Sequence, residues 1–140
     1  MRRSGANFGQ KQPDPLTFFI DRNLGKHTIA DILREAGALV EVHDDHFPPN
    51  APDHEWLPVV GEKGWVVLTK DKRIRYRGLE LKALEDARVK AFVLTRGNLK
   101  GDDMATIFVK ALPAMQRFVN DHNDPFIARI TSQGKVSLIT

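Results

Sequence analysis

Short β-favouring runs alternate with segments of helical period along this chain, and that alternation leaves few folds open. Leu16 to Asp21, Ala38 to Val42, Trp65 to Thr69 and Ala91 to Thr95 read as strands. Between the first two, Ile29, Ile32, Leu33 and Ala36 fall at i, i+3, i+4 and i+7. That is the apolar stripe of a helix laid on a sheet, and Gly37 stops it. Asp53 is placed to open a second helix through Trp56, Leu57 and Val60, with Pro58 accommodated near its start. Leu79 to Ala87 reads as a third helix. The longest follows, with Met104, Ile107, Phe108, Ala111, Met115, Phe118 and Val119 at helical spacing. Pro113 should kink it or remove one backbone bond. FIARIT and VSLIT flank Gln133-Gly134, the pattern of a terminal β-hairpin. Strands separated by helices imply right-handed βαβ crossovers. The expectation is an α/β protein with three α/β/α layers, a mostly parallel central sheet of strand order 2-1-3-4, and a C-terminal hairpin.

Residues 1–15 read as a flexible tail, polar and rich in Gly and Pro, with only Phe8 as a sizeable apolar anchor beyond the first residue. Residues 16–140 then form one domain, long enough for a real core. Lys and Arg number 21 against 18 Asp and Glu, a mild excess that permits a polyanionic partner without demanding one. The chain has no cysteine, which excludes disulfides and thiolate metal sites. No long apolar span or signal-peptide core is evident, so the expectation is a soluble, cytoplasmic protein with no membrane association.

In a parallel sheet, ligands bind where the carboxyl ends of the strands form a crevice. Asp21 ends the first strand and Asp71 lies just past the third, so in a 2-1-3-4 order both reach one crevice. Asp53 approaches it from a helix N-terminus. Carboxylates meeting there repel one another unless a cation lies between them, and hard oxygen ligands suit Mg²⁺ or Mn²⁺. A single Asp at a strand end is more often a cap or turn former; three in this order favour a shared site. Lys70, Lys72, Arg73, Arg75 and Arg77 surround Asp71, the charge a phosphate backbone needs for neutralisation, and Tyr76 among them can stack on a base. The simpler reading of that stretch is a solvated loop. Asp102 and Asp103 follow a strand and a loop and are expected to stabilise the start of the longest helix through its dipole; a place for them, Asp103 in particular, at the border of the site is the second reading. His43 to Pro52 reads as a loop. Its HDDHF segment invites a zinc reading, but lacks the firm ligand spacing of zinc motifs. Trp56 and Trp65 are expected in the core.

The segments FFIDRNLG, PDHEWL and VVLTKDKRIR resemble the PIN-like nucleases, particularly the VapC-type toxin branch, over about Phe18 to about Leu99. The resemblance implies a PIN-like fold and metal-dependent ribonuclease activity. Asp21, Asp53 and Asp71 match the family's metal carboxylates, which hold Mg²⁺ or Mn²⁺. Thr69 matches the threonine that positions the acidic residue following it, and Asn23 fills a polar slot beside the first aspartate. Many members also carry an acidic residue on a helix after strand two. The nearest residues here are Asp44, Asp45 and Glu55, none matching that slot directly, which leaves the number of metal ions open. The implied partners are an RNA substrate, a cognate antitoxin protein and a second copy in a homodimer.

Two rivals stand beside this reading. One is a non-catalytic PIN-like module that binds RNA or protein and needs no metal. The other is a phosphoacceptor receiver domain, which wants an acidic pair after strand one, whereas Asp21 is followed by Arg22 and Asn23.

Overall fold

A computed structural model of the chain describes residues 15–25, 27–71 and 78–139, with side chains in the fourth helix from Lys82 onward. The expected tail and the basic stretch Lys72–Arg77 therefore lie outside the described residues, apart from Pro15. The elements are β1 (Thr17–Ile20), a 3-10 turn (Arg22–Leu24), α1 (Thr28–Glu35), β2 (Leu39–Val42), α2 (His43–His46), α3 (Asp53–Lys63), β3 (Val66–Thr69), α4 (Gly78–Asp86), β4 (Lys90–Leu94), α5 (Gly101–Asp121), β5 (Phe126–Ile130) and β6 (Val136–Leu138).

The strands form one six-stranded sheet of order β2-β1-β3-β4-β5-β6. Every pairing is parallel except the last, where β5 and β6 make the expected antiparallel hairpin. Its turn carries Gly134 at φ +80°, a conformation that side chains with a Cβ avoid. The near-continuous apolar runs of β1, β3 and β4 follow from burial on both faces.

Because register partners in a sheet project to the same side, the two faces can be followed across it. Phe18, Ile20, Val66, Leu68, Phe92 and Leu94 face α1 and α5. Phe19, Val67, Ala91, Val93 and Ile127 face the layer of α3 and α4. The stripe of α1 buries Ile29 and Leu33 to 1% and 0% exposure, each such side chain contributing about 1.5–3 kcal/mol. The α1 helix ends at Glu35, and Gly37, at φ +94°, turns the chain away just after it, where the sequence places the stop.

One local expectation needs correction. The segment from His43 is not wholly irregular, because His43–His46 forms the one-turn α2, closed by Phe47 N–H donating to the His43 carbonyl at 3.0 Å. Asp44 and Asp45 sit in its first turn, where carboxylates complement the unpaired N–H groups. Pro113 behaves as its sequence implies: α5 runs unbroken for 21 residues through it, so the proline removes a backbone bond without ending the helix.

Candidate active site at the carboxyl edge of the sheet

The centre of the site is a seam between two adjacent parallel strands. β1 and β3 pair through Phe18↔Val66, Phe19↔Val67 and Ile20↔Leu68, so both chains leave the sheet at the same level. The ladder continues one residue past β1, where Asp21 N–H donates to the Leu68 carbonyl at 3.0 Å. Thr69 ends β3 and is fully buried. Its hydroxyl donates to Asp21 Oδ2 at 2.7 Å. The same oxygen accepts from the Asp71 backbone N–H at 3.0 Å and from Asn23 Nδ2 at 3.1 Å. One donor and two acceptor sites are the whole capacity of a hydroxyl, so this side chain is saturated. Asn23 Oδ1 accepts from the Lys70 N–H at 3.4 Å, a longer contact that ties the turn after β1 to the exit of β3.

Burial holds the Asp21 carboxyl above its ordinary value of 3.8, and the charge of Asp71 pushes it further the same way. The Thr69 hydroxyl, the Arg22 backbone N–H and the nearby His43 imidazole act in the opposite direction, in that order after burial. The outcome is a carboxylate that is costly to ionise beside a second acidic group. Such an arrangement fits a hard divalent cation, because an ion both offsets the desolvation and screens the repulsion.

The structure thus brings Asp21, Asn23, Thr69 and Asp71 together. Asp53 is engaged from another direction. It is the first residue of α3, with Pro52 in the capping position, and its Oδ1 accepts from the Trp56 indole N–H at 3.0 Å. Among the described residues, no three His, Asp or Glu side chains converge into a ready-made metal cage. Asp45 and Glu55 are exposed on α2 and α3, and Asp103 is exposed in the first turn of α5 beside Asp102. The two histidines of HDDHF diverge. His43 is buried, its Nδ1 3.3 Å from Asp44 Oδ1, while His46 Nε2 lies 2.7 Å from Glu41 Oε1.

The sequence reading passed over two participants. His43 lies in the core beside Asp21, and Arg22 reaches Asp44 at 3.5 Å, tying α2 to the turn after β1. A histidine directly after a β run was the available signal for the first. Opposite charges on separate loops gave none for the second.

A parallel α/β/α sandwich with paired aspartates held over a buried threonine is the frame into which the comparisons fit. The chain belongs to the PIN-like domain family: residues 16–96 match the family model described as "PIN like domain". It is also 27% identical over 103 residues to a Mycobacterium tuberculosis (strain ATCC 25618 / H37Rv) protein named "Putative ribonuclease VapC45", covering 71% of this chain and 75% of that one. No solved structure matches the chain significantly. Among the described residues, no helix is long and apolar enough to cross a membrane.

Proposed function

We propose that this protein is an endoribonuclease that hydrolyses RNA phosphodiesters with Mg²⁺ or Mn²⁺, acting as the toxin of a type II toxin–antitoxin pair. The observation that carries the reading is the hydrogen-bonded seam in which Thr69 holds Asp21 beside Asp71. The family and the name of the mycobacterial relative support the nuclease class. Asp21, Asp53 and Asp71 would hold the ion, with Asn23 and Thr69 fixing the first and last of them. Asp45, Glu55 and Asp103 would be further acidic candidates. When bound, such an ion polarises a phosphate and lowers the pKa of an attacking water. Lys72, Arg73, Arg75 and Arg77 would orient the RNA backbone by phosphate contacts. A cognate antitoxin, self-association as a homodimer and a cytoplasmic setting complete the proposal.

The test is cleavage of a labelled RNA by purified protein in Mn²⁺, against EDTA and against Asp21→Asn and Asp71→Asn. Cleavage in Mn²⁺ that each substitution abolishes supports the assignment. Undiminished cleavage by Asp71→Asn overturns it. RNA binding without any cleavage favours a non-catalytic module.

A further inference from the structure

We propose that Trp56 is a positioning residue for the site: its indole N–H aims the Asp53 carboxylate, and a box of aromatic rings fixes the indole. The inference rests on the nuclease reading above and assigns this tryptophan a task beyond filling the core.

Trp56 is 2% exposed and lies one turn after Asp53 in α3. Its Nε1 donates to Asp53 Oδ1 at 3.0 Å. An indole has one donor and no acceptor, and a buried one needs a partner. Here that partner is the carboxylate of the residue that opens α3. A donor can aim a carboxylate only if the donor is itself held. The Trp56 ring lies 5.3 Å from Phe19 and 5.7 Å, nearly edge-on at 84°, from His43. His43 in turn packs on Phe47 at 5.5 Å, and Phe19 stacks on Trp65 at 5.7 Å and 15°. The rings that touch the indole come from β1 and α2, so it cannot turn without disturbing both, and Phe19 is itself backed by Trp65 just before β3. Phe19 is two residues before Asp21 on the same strand. The box therefore ties the direction of Asp53 to the strand that presents Asp21, which is how partners behind a ligand set its geometry.

Trp56→Phe removes the N–H and keeps an aromatic ring in the box. Mn²⁺ binding by calorimetry, with RNA cleavage alongside, is the readout. We expect Trp56→Phe to weaken Mn²⁺ binding by about 10–100-fold, to lower cleavage at limiting Mn²⁺, and to recover cleavage at high Mn²⁺. Adding Trp56→Phe to Asp53→Asn should cost no further Mn²⁺ affinity, because the group being aimed is already gone. Site-specific replacement of Trp56 by 3-benzothienylalanine, which swaps the N–H for sulfur at constant shape, gives the same loss if the donor matters and covers a Trp56→Phe protein that folds poorly. Wild-type Mn²⁺ affinity in the benzothienyl protein, with binding lost in Asp21→Asn, overturns the positioning role and leaves the nuclease reading standing. A wild-type protein that binds no Mn²⁺ overturns both.

Discussion

Thr69 donates its hydroxyl proton to Asp21 Oδ2 at 2.7 Å across the seam between β1 and β3, from a position with no solvent access. Thr69→Val keeps the shape and removes the oxygen. It leaves a buried carboxylate without this donor and the Asp71 N–H without its acceptor. Losing such partners costs about 1–3 kcal/mol. Urea unfolding at neutral pH should show that loss, and Thr69→Ser should recover most of it. A Thr69→Val protein as stable as wild type would show that water satisfies both groups equally well.

The raised proton affinity of Asp21 gives a defined pH dependence. The folded state holds this proton more tightly than the unfolded chain, whose value is 3.8. Below that value both states are protonated and the site costs nothing. As pH rises towards the folded value, the unfolded chain ionises first and the fold is disfavoured, and the penalty then stays constant. In EDTA, Asp21→Asn should therefore melt higher than wild type at neutral pH, with the difference shrinking as pH falls to the unfolded value. A difference that grows on acidification would reverse the sign and place the carboxylate in a stabilising pair.

Asp21 and Asp71 together should make the native state a metal sensor. Thermal melts of wild type in rising Mn²⁺ should shift upward, by the equivalent of about 2.7 kcal/mol at a hundredfold excess over Kd. Asp21→Asn and Asp71→Asn should show no shift while remaining folded. An equal shift in all three proteins would put the ion elsewhere on the chain.

Arg73, Arg75 and Arg77 follow Asp71 closely in sequence, and are expected to meet phosphates and not base edges. Replacing one with Ala should weaken RNA binding evenly across sequences and flatten the salt dependence by about 0.7 per lost contact with a single strand. Cleavage at saturating RNA should suffer less than binding. If the triple alanine variant keeps the wild-type salt dependence, the stretch is solvated surface.

The layered fold was readable because burial on both faces leaves an apolar mark on β1, β3 and β4, and because α1 and α5 carry unbroken stripes. Asp21 and Asp71 were readable for a related reason: a charge placed immediately after such a strand can only emerge at its carboxyl end. The one-turn α2 escaped because four polar residues show no apolar period, and its helical shape follows from the burial of His43 against Phe19 and Trp56. Trp56 was read as core, which it is. Its second task depends on which way one N–H points, and only the packed rings decide that. The spacing of Asp53 and Trp56, three apart at a helix start, was the one hint the sequence held.

The bond from Asp21 N–H to the Leu68 carbonyl has a consequence for how this protein moves and how it can change. It makes Asp21 the last rung of the central ladder and no part of a mobile loop. Its backbone is thereby held level with the strands whose side chains fill both cores, while only this end rung and the Thr69 bond need open to release the carboxylate. Segments beyond Arg22, Asn23 and the Thr69–Asp71 turn can change without altering that anchor. A lineage built on this frame can alter what it grips far more readily than where its first carboxylate stands.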